Sequence, residues 1–303
     1  PQAIAAATYY NLTLLAASGT QDRIPDGDLT VANTLTIGSG ARLTAGGYRI
    51  DLKGLDPLQI SGGMFSAETS TIAYSATTPQ SVAATTYHHL LLGKDAAAAS
   101  PPLQKSTAGN IVATGSVTVE EDIAFTMGSS QLDVVGDLVQ RGNESGSEPL
   151  RAGHVQWSAG GELRFSGSGN SLLYGNHSVN AADAVILTIA KNSSIDTVRL
   201  TATGSVTPRL LLGANALLDV QSGVLDYGDA MVTATQPVSS AFSIATGSTV
   251  RSSGASNFPL SGGGTHTFAS TTFAYGSTVE LYGAAQTVAG SDRGVTSYGV
   301  LRL

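Results

Sequence analysis

One phrase of sequence occurs three times, and a chain that repeats itself builds its fold from equivalent units. The phrase is Pro1-Gln2-Ala3-Ile4-Ala5 followed by Tyr9-Tyr10-Asn11-Leu12-Thr13-Leu14. It returns as Pro79-Gln80-Ser81-Val82-Ala83 with Tyr87-His88-His89-Leu90-Leu91-Leu92, and as Ala285-Gln286-Thr287-Val288-Ala289 with Tyr298-Gly299-Val300-Leu301-Arg302-Leu303. Each copy carries Gln, a β-branched residue two places on, then Tyr, then Leu three and five places after the Tyr. A weaker version runs from Asn170 to Ile189, with Leu187 and Ile189 in the paired-leucine slots.

The flanks repeat as well. Ser70-Thr71-Ile72-Ala73-Tyr74 leads into the second copy and Ser277-Thr278-Val279-Glu280-Leu281-Tyr282 into the last. Blocks therefore start near residues 1, 79, 170 and 285, each several strands long. With no convincing linker between them, residues 1–303 are expected to form a single elongated domain.

Inside the blocks, apolar residues alternate with small polar ones, as in Leu29, Val31, Leu35, Ile37 and in Val117, Val119. Period two is the mark of strands with one buried face. Turn signals such as Gly38-Ser39-Gly40 and Ser61-Gly62-Gly63 interrupt at short intervals. Nothing is long enough for a stable helix: the Ala-rich stretch from Asp95 to Ser100 stops at Pro101-Pro102. The fold class expected is all-β. A parallel β-solenoid, or β-helix, suits short strands and small-residue corners, at roughly 20–25 residues per coil and about 4.8 Å per coil. Tandem β-sandwiches are the alternative.

Composition supports stacking. Charged residues make up 12% of the chain, against about 25% in ordinary globular proteins. A solenoid places equivalent side chains directly above one another, where like charges repel and Thr, Asn, Gln and apolar ladders are favourable. The formal charge of −7 and the lack of any Lys/Arg run argue against a nucleic-acid partner. The absence of cysteine excludes disulfides and thiolate chemistry. No apolar run approaches the roughly 20 residues of a membrane span.

The stretch Thr8-Tyr9-Tyr10-Asn11-Leu12-Thr13-Leu14, with Leu29-Thr30-Val31 and Leu35-Thr36-Ile37-Gly38-Ser39-Gly40-Ala41-Arg42-Leu43, resembles the β-strand repeats of very large secreted bacterial surface proteins. These include giant adhesins of gliding bacteria and, more distantly, filamentous-haemagglutinin-like proteins. The resemblance implies an extracellular or cell-surface location and a structural or adhesive role, with no catalytic residues to carry over.

The residues themselves show little concentrated chemistry. Carboxylates are scattered, and the one run, Glu120-Glu121-Asp122, reads as a solvated corner. Asp226-Tyr227-Gly228-Asp229 reads as a turn rather than a calcium loop. His88 and His89 are neighbours in sequence, and neighbours in a regular strand point to opposite faces. No catalytic set, metal site or cofactor is expected. Leu12, Leu14, Leu90, Leu92, Leu301 and Leu303 share one parity after the recurring Tyr and are expected to line the core. Tyr9, Tyr87 and Tyr298 recur in register and are candidate surface contacts for glycans.

The expected function is an extracellular fibre, stalk or adhesin shaft. The other reading is a carbohydrate-binding or polysaccharide-cleaving β-helix. The first and last phrases match and neither end carries a recognisable cap, so the expected partner is the protein itself, end to end or through neighbouring repeats.

Overall fold

The structure, a computed structural model of the chain, describes residues 1–95, 102–141, 154–157, 160–175, 177–178, 185–201, 209–212, 215–229, 231–234, 240–253, 268–283 and 297–303. Every regular element among them is a β-strand, and every pairing between these strands is parallel. Strands pair with their counterparts one coil along, so the fold is a β-solenoid and not a tandem of antiparallel sandwiches. The chain divides into two compact units, residues 1–127 with 141–155, and residues 128–140 with 156–303.

In the first unit, inward residues stack in columns. Leu29, Ile50, Ile72, Leu90 and Val117 occupy one register position on successive coils, and Val31, Leu52, Tyr74, Leu92 and Val119 the next inward one. All ten are buried, and burying an aliphatic side chain of this size contributes roughly 1.5–3 kcal/mol. The ten-residue strand Leu29–Gly38 bends midway and serves two stacks, pairing Leu29 to Val31 with Arg49–Leu52 and Leu35 to Gly38 with Leu58–Ser61. The bend is marked by Asn33, whose side chain donates to Asn11 Oδ1 (2.8 Å). In the next coil Gly54 sits so close to it that a Cβ would lie 1.9 Å from the Asn33 carbonyl oxygen.

The second unit repeats the plan. Leu132, Leu163, Leu187, Leu218 and Phe242 form one inward column, and Val134, Phe165, Ile189, Val220, Ile244 and Phe273 another. On a different face, Val198, Leu225, Val250 and Val279 are stacked and buried, with Leu301 in the next register position.

The repeated phrase folds alike in its first two copies, but not onto the same face. Tyr9 donates its hydroxyl to the Ala5 carbonyl (2.9 Å), and Tyr87 does the same to Ala83 (2.7 Å). Yet Leu12 and Leu14 align with Leu35 and Ile37, whereas Leu90 and Leu92 align with Ile72 and Tyr74 on the neighbouring stack. The phrase encodes a corner and the strand leaving it, not a particular face. Gln286 of the third copy lies outside the described residues, as do residues 96–100 of the Ala-rich stretch.

The expected leucine columns hold in part. Leu14, Leu90 and Leu92 are buried. Leu12 and Leu301 have inward parity but are only half-buried, because each lies on a strand paired on one side alone among the described residues. Leu303 follows the strand Val300–Arg302 and is 85% exposed, a correction to its expected core position.

Two lysines point inward. Lys105 is fully buried, and its ammonium donates to the Ala76 carbonyl (3.2 Å) and to Gln80 Oε1. Gln80 is itself buried and saturated: its amide donates to the carbonyls of Leu52 (2.9 Å) and Gly54 (2.8 Å), and Ala76 N–H donates to its oxygen (3.1 Å). Lys191 bonds the carbonyls of Val135 (3.0 Å) and Ser166 (2.8 Å) and Ser171 Oγ (2.7 Å).

Leu90→Ala should destabilise the protein by about 2–5 kcal/mol, since a buried leucine in a column leaves a cavity that the coils on either side cannot close. Chemical denaturation checks this, and an unchanged midpoint would contradict the column. Burial lowers the Lys105 pKa to about 8, against about 10.4 in an unfolded chain. Between those values the unfolded state holds the proton and the folded state does not, so stability rises with pH across that window. Lys105→Met should abolish that part of the rise, on the order of 2–3 kcal/mol, when urea midpoints at about pH 7.5 and about pH 10 are compared with wild type. Equal slopes for the two proteins would show that the ammonium is not buried.

Candidate functional site

Outward residues of the first unit also stand in columns. At the end of successive coils, backbone hydrogen bonds run from Lys53 N–H to Val31, Ser75 to Leu52, Gly93 to Tyr74, Glu120 to Leu92 and Arg141 to Val119. Lys53, Ser75, Gly93, Glu120 and Arg141 therefore occupy one column. Its second and third members, Ser75 and Gly93, are small and the residues before and after them are long, so a hollow forms there. The cleft has a volume of about 380 Å³, and its walls also include Arg49, Leu91, Lys94, Asp95 and Glu121.

The walls are charged and mutually paired. Arg49 holds Asp51 with two N–H groups (Nη2 to Oδ1 2.7 Å, Nε to Oδ2 3.0 Å), and this bond raises the arginine's pKa. Lys94 pairs with Asp122 (2.7 Å), Arg141 with Glu120 (3.3 Å), and Lys53 with Asp95. The run Glu120-Glu121-Asp122 is thus divided between cleft wall and ion pairs. Ser75 is 4% exposed, and its hydroxyl makes no hydrogen bond. Ser75 directly follows the strand Thr71–Tyr74 and belongs to the cleft wall, with its hydroxyl covered from solvent.

The second unit carries a different outward feature, a column of alternating sign. Arg199, Asp226, Arg251, Glu280 and Arg302 are register partners on five successive strands. Arg251 bonds Glu280 (2.5 Å) and lies 5.9 Å from the centre of the Tyr282 ring. Asp226 is only 8% exposed and accepts from Tyr282 OH (2.9 Å) and Gly228 N–H (2.9 Å). The Asp226-to-Asp229 segment is a turn held by this carboxylate.

The tyrosines separate. Tyr87 is buried, which corrects its expected surface role: its ring meets Tyr74 edge-on, the two hydroxyls are 2.8 Å apart, and Ala83 N–H donates to Tyr74 (3.0 Å). Burial holds the Tyr74 pKa at about 12. Tyr9 and Tyr298 are half-buried, the latter 5.8 Å from the Phe273 ring.

The histidines correct another expectation. His88 falls between two strands, at a corner where alternation lapses, and its ring lies 4.3 Å from that of His89. His88 Nδ1 contacts Thr114 Oγ1 (3.1 Å), while Ser116 N–H donates to His89 Nδ1 (3.1 Å). Gly115 makes room for this, since a Cβ there would sit 2.8 Å from the His89 ring. Among the described residues no three His, Asp or Glu side chains assemble as a metal cage. In comparisons with known proteins the chain matches no family model, no curated protein and no solved structure.

His89 accepts a backbone hydrogen bond only while Nδ1 is unprotonated, and burial together with His88 lowers its pKa. The unfolded chain therefore takes up the proton first, and stability falls as pH drops below about 6.5. His89→Gln should lose less stability between about pH 7 and about pH 5.5 than wild type does. Parallel melting curves check this, and identical losses would remove His89 as the cause.

Proposed function

We propose that this chain is a structural segment of an extracellular surface protein, contributing to a fibre, stalk or adhesin shaft. The observation that carries the reading is an unbroken inward column in the second unit, where Val134, Phe165, Ile189, Val220, Ile244 and Phe273 follow one another coil by coil. Each coil is supported by its neighbours, so such a stack lengthens by adding coils without redesigning its core. Its backbone hydrogen bonds run between coils, along the direction in which a shaft bears load. The alternating Arg199, Asp226, Arg251, Glu280, Arg302 column adds a ladder of attractive contacts in the same direction. The natural partners of such a segment are further coils of the same protein.

Immunogold microscopy of the source cells, with antibody raised against this chain, tests the proposal. Label on thin extensions at the cell surface is expected, and label confined to the cell interior would overturn it.

A further inference from the structure

We propose that the outward column Arg199, Asp226, Arg251, Glu280, Arg302 of the second unit binds a linear acidic polysaccharide that carries a carboxylate on every second sugar ring. The inference concerns what the stack displays and not what the stack is for, so it stands apart from the shaft reading.

The column alternates in sign, but it is not neutral where it meets solvent. Its arginines protrude and its carboxylates are recessed. The side chains of Arg199 and Arg251 are 59% and 41% exposed, those of Asp226 and Glu280 only 11% and 25%, and Arg302 is exposed as well. Both carboxylates are engaged: Asp226 accepts from Tyr282 OH and Gly228 N–H, and Glu280 accepts from Arg251. The arginines keep donors in hand. Arg199 approaches Asp226 only to 3.9 Å, too far for a hydrogen bond. Arg251 gives Glu280 its Nε–H, and the fork of a guanidinium holds further N–H groups. Among the described residues no carboxylate is paired with Arg302. What this face offers a ligand is therefore positive charge. The chain as a whole carries a formal charge of −7, so capture of a polyanion would report this column and not a general attraction.

Spacing then selects among polyanions. The five residues are register partners on successive strands, so the arginines recur every second coil, about 9.6 Å apart. That is close to the length of two sugar rings in an extended chain. An extended peptide with alternate acidic residues places its charges about 7 Å apart, and a nucleic-acid strand brings a phosphate about every 3.4 Å along its axis. Neither keeps step with the arginines, and a negative charge held over an intermediate coil meets Asp226 or Glu280. A polysaccharide acidic on alternate rings sets each carboxylate on a guanidinium, where paired N–H donors match its two oxygens. Its neutral rings then lie over the recessed acids. The half-buried hydroxyl residues Thr249 and Thr278 stand on the same outward face, and the exposed ring of Tyr282 lies beside Arg251. They offer hydroxyls and an aromatic surface to those neutral rings. Each contact is weak alone, and three on one molecule reinforce one another.

Titration calorimetry on the intact chain at low ionic strength tests this with four probes. They are a hyaluronan octasaccharide, acidic on alternate rings, an octagalacturonate, acidic on every ring, an oligothymidylate and an oligoglutamate. The hyaluronan octasaccharide should bind saturably and more tightly than the other three, and added salt should weaken it. Arg199→Gln and Arg302→Gln should each weaken binding about 3- to 5-fold, the value of one exposed ion pair. Both side chains are exposed, so the fold should survive their loss. Glu280→Gln should tighten binding by a similar factor, because it removes a negative charge from an intermediate coil and releases Arg251. Arg42→Gln, which removes an arginine paired with Asp22 in the first unit, should leave binding unchanged. The proposal is overturned if the hyaluronan octasaccharide does not bind, if any other probe binds as tightly, or if Arg199→Gln and Arg302→Gln both bind as wild type does.

Discussion

Parallel hydrogen bonding in register between coils is the constraint on which the rest of this structure depends. Once Ile50 is paired with Ile72, and Ile72 with Leu90, every side chain has a structural equivalent about 4.8 Å above and below it. An inward slot must then be apolar, or otherwise satisfied, on every coil. An outward slot cannot hold like charges on consecutive coils without repulsion. The sparse charge of this chain, 12% of residues, is what that rule leaves. Where charges do stack they alternate, as in Arg199, Asp226, Arg251, Glu280 and Arg302. Where such a pair is exposed it contributes only about 0–1 kcal/mol, so the alternation avoids a penalty more than it supplies stability.

Corners set the second condition. Where a coil turns, carbonyls leave the ladder and need partners if they are buried. This chain meets the need with long polar side chains from within the coil. Gln80 reaches the carbonyls of Leu52 and Gly54, and Lys191 reaches those of Val135 and Ser166. The cost is an ammonium held in the interior, visible in the lowered pKa of both Lys105 and Lys191, for which burial is the leading cause. Removing one partner of such a group is more damaging than replacing the whole arrangement with apolar residues. Gln80 and Lys105, adjacent in register, therefore constrain one another.

Fold class was legible because it rests on period and parity, which a sequence displays directly. Leu90 and Leu92 announce an inward pair, and the columns follow. The details that escaped lie where parity fails. His88 sits at a corner, so two adjacent histidines come together instead of pointing apart. Tyr87 recurs in register with Tyr9, but a full coil covers it and only half of Tyr9 is covered. Inward Lys105 could not be told from an exposed lysine, because its partner Gln80 lies 25 residues away. The recurring Gln was no guide either, since Gln2 and Gln80 hold the same place in the phrase yet Gln2 is exposed and Gln80 buried. The cleft left no local mark at all. It arises from Ser75 and Gly93 sharing a column, which becomes apparent only when the coil lengths are known.

Those coil lengths explain how a repetitive scaffold acquires a distinctive place on its surface. Thr71–Tyr74 and His89–Leu92 pair with an offset of 18 residues, while His89–Leu92 and Val117–Val119 pair with an offset of 27. Added residues are accommodated at corners, and the columns close up again beyond them. Inward and outward slots on one strand are thereby decoupled. Tyr74 is fixed by the core column it completes, whereas its neighbour Ser75 lies just beyond the strand, in the cleft wall. Two small residues on consecutive coils, Ser75 and Gly93, leave a hollow beside the inward columns, and long residues on the coils to either side supply its walls. The stack thus keeps its inward columns continuous while its outer columns are free to vary from coil to coil.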